Sequence, residues 1–354
     1  MMLADLGAEV IKVERPGVGD ETRSWGPPFD DQTGEATYFL SVNRNKRSIA
    51  LDLAAGEDLR AARALALDAD VLVENFRPGL MDRLGLGYED LRRHNPRLVY
   101  CSITGFGRGE GAKITGYDLL VQALGGLMSI TGPADGEPQK VGVALVDVLA
   151  GLFATVGILG AVRQVERTGA GQRVEVTLLG SLLAALVNQG AAYTIAGVVP
   201  HRLGNAHPSI APYELFETGD GQVVIAVGND RQFATLCDVL ASPELAFDPN
   251  FATNADRVAH RAELRAALEQ RLARRPAEEW ARALTEARVP AGVVNEVDAA
   301  FRLAEALGLA PIVRVPRADG SEVPLTRNPI SLSENPAEYS AAPPPLPDRG
   351  AAGW

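Results

Sequence analysis

Between residues 9 and 104, short apolar runs alternate with amphipathic stretches. This is the pattern of strands and helices in a parallel sheet covered on both faces. Four strand candidates stand out: AEVIKV (8–13), RSIALDL (47–53), DVLVEN (70–75) and RLVYCSIT (97–104). Between the second and third, GEDLRAARALALDA (56–69) repeats its apolar positions at helical spacing. A fifth strand, RVEVTLL, begins at Arg173 after the turn TGAGQ. Met1 to Gly7 reads as the last two turns of a helix, closed by Gly7 and running straight into a strand. A βαβ unit takes about 30 residues. The reading therefore expects an N-terminal strand and part of its helix to be missing ahead of Met1.

From about Pro212 the pattern changes. YELFETGDGQVVIAV (213–227) alternates on either side of Gly219-Asp220-Gly221, as an antiparallel hairpin does. Helices are expected at about 230–241, 256–274 and 277–287, the last two divided by Pro276. A second hairpin, PIVRVPRADGSEVPLT (311–326), turns at Asp319-Gly320. The tail from Ala341 to Trp354 is rich in Pro, Ala and Gly and is expected to be loop or disordered. The chain thus divides into an α/β domain and an α+β domain, without an internal repeat.

Charge narrows the ligand. A net charge of -11 argues against a broad footprint for nucleic acid or anionic membrane, so a polyanionic ligand has to be met by local cations. Cys101 and Cys237 lie far apart, and no Cys/His cluster has metal-ligand spacing, which points to a reducing, cytoplasmic setting without a metal. The longest apolar run, Val148 to Val162, falls short of the roughly 20 residues that cross a bilayer and is read as a buried helix.

In open parallel sheets, ligands bind beyond the carboxyl ends of the strands. Here those ends carry Glu14-Arg15-Pro16, Asp52, Asn75-Phe76-Arg77-Pro78-Gly79 and Gly105-Phe106-Gly107, a mixture of cations, an aromatic and glycines that suits a nucleotide phosphate. Arg44, Lys46, Arg47 and Arg83 are expected just outside the same edge, and guanidinium forks match phosphate oxygens. For any one of these residues, a plain turn or a solvated charge is the more common explanation; their convergence on one edge is the argument. Only four histidines are present and no G-x-S-x-G elbow accompanies them, which disfavours a hydrolase triad. The most anomalous acid is Asp147, between VGVALV and VLAGLFATVGILGAV. It fits the N-cap of a helix starting at Val148, and equally a carboxylate nucleophile held ionised at a cleft mouth.

The runs GAEVIKVERPG (7–17), SVNRNKRSIALDL (41–53), VLVENFRPGLMDRLGLGYEDL (71–91), YCSITGFG (100–107), GYDLLVQA (116–123) and VGVALVDVLAGLFA (141–154) resemble the class III CoA-transferases, the CaiB/BaiF family. The resemblance implies a Rossmann-like large α/β domain with a parallel sheet plus a smaller α+β domain, in an interlocked homodimer. It places residues 1–185 and 306–354 in the large domain, 186–205 in a linker and 206–305 in the small domain, and it leaves the present tail without a closing helix. It makes Asp147 the nucleophile that carries CoA as an aspartyl thioester between two carboxylic acids, with coenzyme A as a substrate and no metal. CoA contacts carry over to Arg15, Leu51, Asn75, Phe76, Arg77, Arg83 and Tyr117. A CoA-ester racemase of the same superfamily would place a histidine where this chain has Tyr117, a poor base because tyrosine ordinarily titrates near about 10. A noncatalytic CoA-binding homologue is the other alternative. GNAHPSIAPYELF (204–216) and GNDRQFATLC (228–237) look most like the branch acting on dicarboxylates with succinyl-CoA. Oxalate is the less expected acid, since the glycine-rich loop of formyl-CoA transferases is not visible. Arg202 and His207 are candidates for a distal carboxylate, although His207, beside Pro208, equally suits a loop-shaping role.

Overall fold

The computed structural model describes residues 1–348. Its ten strands are β1 (Val10–Glu14), β2 (Lys46–Ala50), β3 (Val71–Glu74), β4 (Val99–Thr104), β5 (Arg173–Thr177), β6 (Tyr213–Glu217), β7 (Gln222–Ala226), β8 (Ala291–Val293), β9 (Ile312–Pro316) and β10 (Glu322–Thr326). Five helices matter for the site: α1 (Met2–Asp5), α2 (Thr37–Val42), α3 (Asp118–Leu124), α4 (Leu145–Thr168) and α5 (Leu178–Ala185). The chain forms two compact units. One comprises Met1–Val121, Ala144–Ala185 and Phe301–Trp354; the other comprises Gln122–Val143 and Leu186–Ala300.

The first unit is the α/β part. Its parallel strands form two hydrogen-bonded groups, β1–β2 and β3–β4–β5. β4 is the central strand of its group and its side chains are buried from Val99 to Ser102 and again at Thr104, which explains why VYCSIT reads as apolar throughout rather than alternating. β9 and β10 behave oppositely. Every second residue is buried, and Val313, Val315, Val323 and Leu325 pack on Phe39 and Leu40 of α2.

Helix α4 is longer than the apolar run that announces it. It runs for 24 residues, past Arg163 to Thr168, and Gly169, with a φ of 72°, closes the last turn. By length and composition it could cross a membrane. One ridge, however, formed by Val146, Ala150, Ala154, Ile158, Ala161 and Val165, is buried, and its lower part packs on β3, β4 and β5 through Val71, Val99, Cys101 and Val174. The expected buried helix is therefore buried on one side only: Val148, Leu152, Phe153, Val156 and Leu159 on the other side are exposed.

The second unit is the α+β part. β6, β7 and β8 form an antiparallel sheet, and the helices Asp230–Val239, Arg261–Leu272 and Ala277–Glu286 cover it with Phe233, Leu236, Leu264, Leu268, Trp280 and Leu284. Helix Ala277–Glu286 follows Pro276 as expected, and the stretch read as one helix from 256 is two, Asn254–Ala259 and Arg261–Leu272, joined at His260. Residues 122–143 group with this unit, although the sequence reading places them in the large domain. Within the unit, Arg202 donates to the carbonyls of Pro133 and Gly136, and the Gly204 amide donates to Gly132. Half of the expected linker 186–205 is the helix Val187–Ala196.

Two expectations about the first unit need correction. Arg44 does not serve the ligand edge. It is 1% exposed, grips Asp5 through two hydrogen bonds of 2.9 and 2.7 Å, and donates to the Thr326 carbonyl. Lys46 and Arg47 open β2, so they stand at the end of the strand opposite to Ala50. Of the tail, residues 349–354 lie outside the described residues. Residues 341–348 form neither helix nor strand, yet they are tied down: Ala341 accepts from the Asn45 amide, Ala342 donates to Pro316, and Pro344 accepts from Arg23.

Candidate active site

The carboxyl ends of the parallel strands are shaped by two buried glutamates. Glu14 ends β1 and accepts from Ser48 of β2, from Nε and Nη2 of Arg23 and from the Asp20 amide at 2.8 Å. Burial alone would raise its pKa, but the hydrogen bonds from Arg23, Ser48 and Asp20 outweigh it and hold the carboxyl below its ordinary value. Glu74 ends β3 in the same manner. It accepts from Ser102 of β4 and, at 2.9 Å, from the Phe76 amide. Each glutamate thus uses one oxygen to bond the neighbouring strand and the other to set the loop that follows.

Those loops carry the predicted CoA residues. Arg15 follows Glu14, and Asn75, Phe76 and Arg77 follow Glu74; all four are exposed. Leu51, just past β2, is buried, with its amide bonded to the Glu14 carbonyl at 3.0 Å. It can shape the floor of the edge. Gly79, at φ 84°, turns the chain into the one-turn helix Leu80–Arg83, which exposes Arg83. Among the described residues, Arg15, Arg77 and Arg83 make no ion pair, which leaves their guanidinium groups available to phosphate.

The loop after β4 brings in the remaining parts. Gly105 and Gly116 touch back to back. A Cβ built on Gly105 would lie 2.6 Å from the Gly116 Cα and 3.2 Å from its nitrogen, and the reverse construction meets Gly105 at 2.6 and 3.1 Å. Only two glycines permit this approach, and it delivers Tyr117 and Asp118 to the end of β4. Tyr117 is 60% exposed.

Asp118 then reaches the start of α4. The sequence reading makes Asp147 the N-cap of a helix beginning at Val148. The helix instead begins at Leu145 behind Ala144, which has no side-chain oxygen to offer. Asp147 is therefore the third residue of the first turn. The capping oxygen comes from Asp118, whose Oδ1 accepts from the Val146 amide at 2.7 Å and the Asp147 amide at 3.2 Å.

Asp147 is exposed, yet the surrounding protein removes part of the hydration of its carboxyl group. That loss, followed by the Asp118 charge, pushes its pKa above the ordinary carboxylate value. Tyr38 of α2 lies within electrostatic reach of both carboxylates; burial and then the charges of Asp147 and Asp118 raise its pKa. Lost hydration first, and the Asp118 charge second, thus act against the stabilising influence of the helix end on the Asp147 carboxylate. The arrangement offers a carboxylate of enhanced basicity at the strand-end edge, a group suited to attack an activated acyl carbon.

Asp118 and Tyr38 escaped the sequence reading. Asp118 had a signal, its place beside Tyr117 in GYD; Tyr38 had none. Arg202 and His207 belong to the second unit. Both are engaged there, Arg202 with loop carbonyls, and His207 through a 3.2 Å bond from the Ser209 amide to Nδ1 and a ring contact with Tyr213 at 5.3 Å.

The profile of CoA-transferase family III matches residues 1–349. The succinate–glutarate CoA-transferase of Agrobacterium fabrum is 43% identical over 350 residues, covering 98% of this chain and 88% of that protein. The acetyl-CoA:oxalate CoA-transferase of Acetobacter aceti is 42% identical, covering 99% and 89%. The crystal structure of a CaiB/BaiF family protein from Brucella suis superposes with a TM-score of 0.86 at 44% identity, covering 99% of this chain and 92% of that one. A family-wide match, relatives aligned nearly end to end and a shared fold leave one conclusion: the chain belongs to CoA-transferase family III.

Proposed function

We propose that this enzyme transfers CoA from succinyl-CoA, or a similar dicarboxylyl-CoA, to a dicarboxylate through an aspartyl-CoA thioester on Asp147. The observation that carries the proposal is Asp147 itself, a carboxylate of raised pKa in the first turn of α4, in the unit whose strand ends expose Arg15, Phe76 and Arg77. The Asp147 carboxylate adds to the thioester carbonyl of the donor and expels CoA thiolate, leaving a mixed aspartyl–acyl anhydride. The thiolate attacks the aspartyl carbonyl, which releases the donor acid and leaves Asp147 joined to CoA. The acceptor carboxylate attacks that thioester, re-forming an anhydride and the thiolate. Attack of the thiolate on the acceptor's acyl carbon yields the new acyl-CoA and regenerates the Asp147 carboxylate. No net proton is consumed, so the site needs a nucleophile and exclusion of water rather than an acid–base pair.

Arg15, Arg77 and Arg83 would meet the CoA phosphates, with Phe76 beside the adenine. Arg202 and His207 remain candidates for the far carboxylate of the acceptor. The assembly is a homodimer in this reading. Val148, Leu152, Phe153, Val156 and Leu159 form an exposed apolar ridge on α4 of the kind that a second subunit covers.

The test of mechanism is hydroxylamine or borohydride trapping after addition of acyl-CoA. An adduct at Asp147 is expected, together with loss of exchange in Asp147→Ala; exchange that persists in that variant would sink the mechanism. A dicarboxylate panel against succinyl-CoA identifies the acceptor. The oxalate-named relative supports a second reading, in which the acceptor is the short dicarboxylate oxalate, and oxalate belongs in the panel for that reason. Size-exclusion chromatography with light scattering tests the dimer.

A further inference from the structure

We propose that Asp118 is a positioning residue of the transfer reaction: it anchors the first turn of α4, so that Asp147 meets the thioester carbonyl, and keeps a second negative charge beside it. This rests on the reading of Asp147 as the nucleophile. The geometry is specific. A single Asp118 oxygen takes the amide protons of Val146 and Asp147, residues 28 and 29 positions away along the chain. Ala144, the local capping position, has no side-chain acceptor. The Asp147 backbone is thus held from outside its own helix.

The placement of Asp118 is itself constrained. It opens α3, two residues after the Gly105–Gly116 contact that fixes the chain to the end of β4. The strand edge and the helix of the nucleophile are therefore connected through this one carboxylate. The charge is a second, separable contribution. Among the described residues, Tyr38 is the other titratable group coupled electrostatically to the pair, and near neutrality it is uncharged, so the charges acting on Asp147 are those of Asp118 and the positive end of α4. A neighbouring anion makes Asp147 more basic, and a more basic carboxylate attacks a thioester faster once ionised.

The two contributions separate in two variants. Asp118→Asn keeps an oxygen able to accept the two amide protons and removes the charge. Its kcat profile is expected to retain its shape with the acidic limb moved to lower pH, because removing the anion lowers the pKa of Asp147. Asp118→Ala removes the anchor as well. Its kcat is expected to fall by on the order of 100-fold, the scale of a misplaced reacting group, while KM for acyl-CoA changes by less than about threefold.

If Asp118 were a purely structural cap, Asp118→Asn would leave the acidic limb where it is in the wild type, and that result overturns the charge role. Wild-type kcat in Asp118→Ala overturns the anchoring role. If Asp118→Ala does not fold, the isosteric Asp118→Asn still decides through its pH profile. Trapping of the wild-type enzyme is run alongside. Labelled Asp147 with both Asp118 variants behaving as wild type removes this inference alone; an unlabelled Asp147 in an exchanging enzyme removes the nucleophile reading and this one with it.

Discussion

Substituting Gly105 by alanine tests whether the contact after β4 positions the catalytic loop. The added methyl would sit 2.6 Å from the Gly116 Cα, 3.2 Å from its nitrogen and 3.9 Å from its carbonyl carbon. Normal carbon–carbon contact is about 3.5–4.0 Å, so the two backbone segments must part by roughly 1 Å. No flexible side-chain end is involved that could swing aside. Overpacking of this kind costs about 1–3 kcal/mol, and a clash against backbone falls toward the upper figure. The displaced segment is the one carrying Tyr117 and Asp118, so the loss in turnover should exceed what instability alone explains. Urea unfolding followed by circular dichroism gives the first quantity, and CoA exchange at a temperature where the variant is fully folded gives the second. Gly142→Ala is the control: a Cβ there meets nothing within 4 Å, and the change should stay within about 0.5 kcal/mol. If Gly105→Ala unfolds at the wild-type urea concentration and turns over at the wild-type rate, the two glycines do not position the loop.

Three further outcomes are expected. Glu74→Ala strips the acceptor from the Phe76 amide and the Ser102 hydroxyl, and should cost about 1–3 kcal/mol while raising KM for acyl-CoA; Glu74→Gln should recover most of both, read by denaturant melts and initial rates. Arg44→Ala leaves Asp5, which is 0% exposed, without its guanidinium partner. A loss of about 3–5 kcal/mol is expected in urea melts, whereas a variant at the exposed Arg47–Glu9 pair should lose less than about 1 kcal/mol. Burial pushes Asp20 upward, but bonds from Lys12 and Thr22 prevail and bring it from an ordinary 3.8 to about 2. A depressed folded-state pKa stabilises above the unfolded value and is lost as pH falls, so this contribution should vanish between about pH 4 and 2; acid unfolding of Asp20→Asn should lack that component.

Much of the fold was legible because its signals are local. Alternation in VPLT and VRVP, the Gly-Asp-Gly and Asp-Gly turns, and the break at Pro276 each depend on residues within one or two turns of each other. The strand-end loops were legible for the same reason: once a strand is located, the residues after it are known. Asp147 stood out because a carboxylate in so apolar a stretch demands an explanation.

The misreadings concern direction and distance. Arg44, Lys46 and Arg47 are close in sequence to the ligand-edge residues, but Arg44 precedes β2 and Lys46 and Arg47 open it, and a strand separates its two ends in space. Arg44 also has a partner 39 positions earlier, Asp5, and takes it into the core. The sequence of α4 suggests capping by its own aspartate because local capping is the common arrangement; the cap instead comes from 28 residues away.

Local sequence therefore determined which segments form strands and helices and which acid was exceptional, since backbone preference and side-chain periodicity act over a few residues. The identity of the group beside that acid was decided only by tertiary structure. It required two glycines, Gly105 and Gly116, to bring separate segments within backbone contact, so that Asp118 could bond the amides of α4 and place its charge against Asp147. Hydrogen bonding and Coulomb interaction depend on separation in space, and chain folding alone sets that separation.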